Sequence, residues 1–367
     1  MSTTDPAAPV RLALSLDTAN LPTDAAPLTA LRALAEAAEA GGATALILRD
    51  SLVTDAGHGR LGLDASLAAA ALAPLTHTVG LVPEIASAVA EPFHTATSTQ
   101  TLDHASLGRA GLALRTPTPA ELVASGERWA ASGLDATEAA LATDAADTLE
   151  AIARLWESWE PEAIIRDKDS GRFLDRERIH NPGFSGASFA LEGASITPRS
   201  PQGRPPVLIT LHDRTLAALA GQRADVAVLA PAAASLPDDA WATGARALAD
   251  AVLAEAAAER SAWATAPAPQ LWLFVPSAFG PAGAREALRL AAAAGLAVDG
   301  LLIELGEHDT TAASVASLLA ALGGEVTPPG PAPSGGARLT TLRAALGLTP
   351  ALNPFAAARQ HRLEEAS

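Results

Sequence analysis

The sequence predicts an α/β fold of the (β/α)8 TIM-barrel type, on three observations. Short apolar runs bounded by turn residues alternate with longer helical stretches, the rhythm of βα units around a parallel sheet. Eight such runs occur, and eight parallel strands favour a closed barrel over an open sheet. Finally, 367 residues with 49% hydrophobic and 18% charged side chains can bury one large core, and α/β barrels commonly exceed about 250 residues as a single unit.

The first run is Arg11 to Leu16, followed by an Ala/Leu/Glu helix over Pro27 to Ala40 that stops at Gly41-Gly42. Ala45 to Arg49 is the second and delivers Asp50; a helix around Leu67 to Leu75 then leads to the third, Val79 to Pro83. The fourth, Ala110 to Leu114, precedes a helix ending in LWESWE at Leu155 to Glu160. Periodicity fails from Pro161 to Pro206, with a turn at Asp167 to Gly171 and prolines at 198, 201, 205 and 206, so residues 161–206 read as an insertion after the fourth strand. The rhythm resumes at Val207 to Thr210, Val226 to Leu229, Leu271 to Val275 and Leu301 to Glu304. Residues 327–338, TPPGPAPSGGAR, form a Pro/Gly-rich loop, and 339–367 a helical tail. The whole of 1–367 is expected to be one barrel domain.

A formal net charge of -16 sets the surface against nucleic-acid phosphates and anionic lipid. With Cys 0 there is no disulfide, thiolate metal site or cysteine nucleophile, and the eight histidines show no short repeat spacing, so no metal site is expected. The start, MSTTDPAAPVR, lacks a basic-then-apolar signal, and charge or proline breaks every Ala-rich run. The expectation is a soluble, cytoplasmic protein.

In a barrel of this type the active site lies at the C-terminal strand ends. The polar residues just past the eight runs are Asp17, Asp50, Glu84 with Ser87, Arg115 with Thr116, Thr210 with His212, Asp213 and Arg214, Ser277, and Glu304. Each also has a structural reading, since strand ends need polar groups to satisfy loop amides and cap the next helix. His94 and His104 fall in a helical segment and read as surface or packing residues, whereas barrel geometry aims His212 at the mouth. Trp156 and Trp159, at helical spacing, read as buried against the barrel. No GxGxxG or Walker pattern follows a strand.

Several segments fall in a familiar order: EPFHTATSTQTLDHASLGRAGLALRT from Glu91 to Thr116, LWESWEPEAI from Leu155, DSGRFLDRERIHNPG from Asp169, TPRSPQGRPPVLI from Thr197 and TTLRAALGLTP from Thr340. In these the chain resembles the flavin-dependent monooxygenases of the bacterial luciferase-like superfamily, in the nitrilotriacetate and dibenzothiophene-sulfone monooxygenase branch. The resemblance implies a homodimer or homotetramer that takes reduced FMN from a separate flavin reductase and oxygenates a small organic substrate. Asp50 matches the family's acid after the second strand, Ser87 falls where a Thr is usual after the third, and Thr116 matches the Thr after the fourth.

Other positions depart from the family pattern. Leu112-Ala113 replace a Trp-Asn, and EAALA at Glu138 to Ala142 replaces a His and an Arg-Tyr pair that reach the flavin phosphate. Thr210 to Thr215 replaces a phosphate-holding Gln-Ala-Gly-x-Ser, and the chain has no tyrosine. Each lost phosphate partner would cost about 1.5–3 kcal/mol. Arg115 or Arg214 would have to compensate, with Thr210 and His212 completing the cofactor-binding set; no residue is assigned a catalytic role. The alternative is a non-catalytic barrel that has lost flavin and serves as a partner subunit or small-molecule binder. A deazaflavin enzyme of the superfamily is a third reading, which the motifs do not favour.

Overall fold

A computed structural model describes residues 10–22, 26–49, 62–117, 122, 137–187, 189–231, 237–259, 267–323, 327 and 340–365. Asp50 and most of the Pro/Gly-rich segment 327–338 lie outside the described residues.

Eight parallel strands close a barrel: β1 (Arg11–Asp17), β2 (Ala45–Arg49), β3 (Gly80–Ala86), β4 (Leu112–Arg115), β7 (Val207–Leu211), β8 (Val226–Leu229), β9 (Gln270–Pro276) and β10 (Gly300–Leu305). Two further short strands, β5 (Phe184–Ser185) and β6 (Ala190–Leu191), form an antiparallel hairpin inside the insertion. All eight expected barrel strands are present, six of them with shifted ends. Val79 to Pro83 becomes Gly80–Ala86, because Pro83 sits within the strand opposite Leu48, where its missing N–H interrupts the ladder without ending it. Ala110 makes only an isolated bridge to Leu81, so β4 starts two residues later than the apolar run.

Helices follow each strand: α1 (Pro27–Ala40), α2 (Ala65–Leu72), α3 (Pro92–Ala105), α4 (Glu138–Glu157), α5 (Ala217–Arg223), α6 (Asp239–Ala258), α7 (Gly280–Ala293) and α8 (Ala312–Leu322). Their starts are chemically marked. Asp64 accepts from the amide of Leu67 at 2.8 Å, and Glu91, ahead of Pro92, accepts from those of Phe93 and His94 at 3.0 and 2.6 Å. Trp156 is fully buried and donates to the carbonyl of Ala96 at 3.1 Å, tying α4 to α3. Trp159 lies past the helix end and donates to Ser195 in the insertion. No helix among the described residues is long and apolar enough to cross a membrane.

Two short helices end the described chain, α9 (Leu342–Ala345) and α10 (Pro354–Glu365). α9 plugs the N-terminal end of the barrel. Leu342 and Leu346 join the inward-facing layer of Ala45, Val82, Ala113 and Trp272, and Arg11 and Gln270 donate to the carbonyls of Ala345 and Leu346. The plug requires space that only glycine leaves: a Cβ at Gly80 would stand 2.5 Å from a methyl of Leu342.

The insertion packs on the outside and the base rather than over the opposite end. Asp147 of α4 accepts from the amide of Ala187 at 2.6 Å, and Arg154 donates to the carbonyl of Gly183. At the base, Gln202 bonds Asp103 and the carbonyl of Ala110 and accepts from the amide of Arg343. Arg343 in turn pairs with buried Asp225 at 3.3 Å and donates to the carbonyl of Arg204. Thus TLDH, PRSPQGRP and TTLRAALG, distant in sequence, interlock at the N-terminal end, the end associated with stability in barrels of this type.

Candidate active site at the barrel mouth

Side chains alternate along a strand, so the inward face can be followed from the core to the C-terminal rim. Below, Ala13, Ile47, Val82, Ala113, Leu208, Val228 and Leu302 fill the interior. Two residues further along the same strands, the inward set turns polar: Ser15 then Asp17 on β1, Arg49 on β2, Glu84 on β3, Arg115 on β4, Thr210 on β7 and Glu304 on β10. β9 contributes Phe274, with Trp272 below it.

A cavity of about 430 Å³ opens above this floor, within the size range of small-molecule sites. Its walls are half apolar, from Leu141, Leu211, Leu216, Phe274 and Leu302, and half polar, from Asp17, Arg49, Glu84, Arg115, Thr116, Glu138, Thr210, His212 and Asp213.

The polar floor is an ion-pair network. Arg49 Nη1 lies 2.5 Å from Glu304, its Nε lies 3.6 Å from Glu84, and Arg115 Nε reaches the same oxygen of Glu84 at 3.3 Å. Glu84 is 8% exposed, against 30% for Arg49 and 22% for Arg115. Strand register places Asp17 beside Arg49. Burial alone would lower the Arg49 guanidinium, but the charges of Glu84, Glu304 and Asp17 outweigh it and hold the group above its ordinary value. At the rim, Asp213 is held below the usual carboxylate range by its hydrogen bonds with Thr215. His212 stands edge-on to Phe274, their ring centroids 6.3 Å apart. Glu138 occupies the first turn of α4, where the helix amides favour an anion and the chain supplies its own.

The cavity therefore brings together four residues of the expected cofactor set, Arg115, Thr116, Thr210 and His212. Arg214 is exposed beside two lining residues and is not itself part of the lining. Ser87 is buried, one residue past an inward Ala86, and so faces α4, where its hydroxyl meets Asp144 behind the cavity wall. The structural reading of His94 and His104 fits their exposed places on α3, where His104 contacts the carbonyl of Pro198. Ser277 bonds Asp309 at a separate surface groove.

Beyond the strand-end set the lining includes Arg49 and Phe274. Arg49 stands one residue before Asp50, and the alternation Ala45, Ile47, Arg49 marks it as inward; Phe274 falls inside the run Leu271 to Val275.

The sequence profile described as luciferase-like monooxygenase matches residues 9–314. The chain belongs to this family. Within it, the chain is 33% identical over 211 residues to N-acetyl-S-(2-succino)cysteine monooxygenase of Bacillus subtilis strain 168, covering 56% of the chain and 46% of that protein. It is 31% identical over 152 residues to dibenzothiophene-sulfone monooxygenase of Rhodococcus erythropolis, covering 41% and 33%. The chain thus spans about half the length or less of these two relatives. A riboflavin lyase, solved with modified FMN and riboflavin, superposes with a TM-score of 0.73 over 95% of the chain and 99% of that structure. At 21% identity, that likeness supports the luciferase-like barrel as a fold and nothing further.

Proposed function

We propose that this luciferase-like barrel holds a reduced flavin, FMN supplied by a separate reductase, at its C-terminal mouth and oxygenates a small organic substrate there. The observation that carries the reading is a cavity of this size, half apolar and half hydrogen-bonding, at the catalytic end of a barrel in this family.

The donor set fits the ring of the cofactor. A flavin ring presents apolar faces and an edge of alternating acceptors and donors, and the mouth offers Leu211, Phe274 and Leu302 with Arg115, Thr116, Thr210 and His212. When bound, reduced flavin supplies the electrons that activate oxygen. The protein's part is to orient the substrate and to exclude water through the apolar wall. Asp50 keeps its proposed flavin contact from sequence alone. With Arg115 engaged by Glu84, the exposed Arg214 is the one of the two arginines proposed to meet the phosphate, and Ser87 leaves the proposed set because it faces α4. Assembly as a homodimer or homotetramer belongs to the same proposal.

One observation favours the non-catalytic reading. Among the described residues the carboxylates lining the cavity outnumber the guanidiniums, and Glu138 stands in the helix turn that would otherwise receive an anion. Titration with oxidised and then anaerobically reduced FMN, followed by calorimetry, decides between them. Micromolar or tighter binding of the reduced form supports the flavin reading; no binding at millimolar flavin leaves a barrel serving as a partner subunit or small-molecule binder.

A further inference from the structure

We infer that the small molecule taken by this mouth carries a positive charge, an organic ammonium attached to an apolar arm. The inference rests on the mouth being the substrate site, and it deepens the proposed function by naming the substrate's class.

Among the described residues the lining carries four carboxylates, Asp17, Glu84, Glu138 and Asp213, against two guanidiniums, Arg49 and Arg115. Both guanidiniums are already engaged within the wall, Arg49 by Glu304 and Glu84, and Arg115 by Glu84. An anionic ligand would have to draw one of them away from Glu84. That carboxylate is nine-tenths buried and would lose a charge partner in a poorly solvated place. A cation meets no such obstacle, because the wall's excess charge already has the opposite sign.

The apolar half of the cavity gives the second reason. Phe274 lies in the same wall as these carboxylates, and an aromatic ring beside acids is the combination that recognises alkylated ammonium groups. Leu141, Leu216 and Leu302 provide the bed for a hydrocarbon arm. Discrimination against anions comes from the same arrangement, since a carboxylate in the cavity would stand among four others.

The test compares benzylamine, benzyl alcohol and phenylacetate, ligands of similar size and different charge, each titrated into the full chain by calorimetry with and without FMN. Benzylamine is expected to bind about tenfold more tightly than benzyl alcohol, and phenylacetate more weakly than either. The rim variant Glu138→Gln/Asp213→Asn, whose side chains are solvent-exposed, is expected to lose most of that preference while melting like the parent. Phenylacetate binding as tightly as benzylamine, or none of the three binding, overturns the inference. A preference for benzylamine in a protein that binds no flavin upholds the inference while the flavin reading falls. Flavin binding together with a preference for phenylacetate does the reverse.

Discussion

Glu84 on β3 and Arg115 on β4 stand 3.3 Å apart, Oε1 to Nε, and the same carboxylate oxygen faces Arg49 on β2 at 3.6 Å. One buried acid therefore holds two cations at the floor of the mouth. Ala113, the register partner of Glu84, keeps its neighbourhood open. Glu84→Gln removes the charge at nearly constant volume. Because both guanidiniums remain partly exposed, the expected loss is about 1–2 kcal/mol rather than the 3–5 of a fully buried pair. The freed positive charge should also raise the affinity for the more anionic, reduced flavin relative to the oxidised form. Denaturant melts and parallel FMN titrations measure both; an unchanged melt would remove Glu84 from its bridging role.

At the opposite end Arg343 is 3% exposed and Asp225 5%, and their pairing closes the base that α9 plugs. Arg343→Ala would remove this guanidinium from Asp225, whose other partners include the amide of Val207 and the charge of Arg204. The expected destabilisation is about 3–5 kcal/mol. Arg343→Lys should recover only part, because an ammonium cannot bond Asp225 and the Arg204 carbonyl with the same planar fork. Equilibrium unfolding of the two variants checks this. If both melted like the parent, the base would not depend on this pair.

The same division explains how far the sequence could be read. Barrel strands were legible because each is a short apolar run between turn residues, and Ala45–Arg49 and Val226–Leu229 coincide with their runs. Segments such as PRSPQGRP and TTLRAALG announce the family, yet Gln202 and Arg343 meet at the base, so they report how the barrel closes and little about what it binds. The mouth was legible only as a set of strand-end polar residues. Which of them turn inward depends on strand parity at the last residue: Arg49 lies in phase with Ile47, whereas Ser87 falls out of phase with Glu84 and Ala86. Pairing was beyond reach, because the expectation that Arg115 or Arg214 holds a phosphate could not anticipate Glu84 standing 3.3 Å from Arg115.

Behind the mouth, Asp144 and Ser87 are both buried, and among the described residues Asp144 Oδ2 and the Ser87 hydroxyl each lack a hydrogen bond within the usual distance. Burial pushes the Asp144 carboxyl up, the charge of Asp147 adds to that, and the Ser87 hydroxyl opposes it. A carboxyl raised in the folded state costs stability once pH exceeds its unfolded value, and the cost disappears as the group becomes protonated in both states. Asp144→Asn removes the charge and keeps the shape, so it should raise the melting temperature at pH 7 to 8. The gain should shrink steadily as pH falls toward about 4, the ordinary aspartate value. Paired melts across that range give the answer. A gain of the same size at every pH would assign it to packing, and a loss at pH 7 would mean that the Asp144 charge is stabilised by a partner other than Ser87.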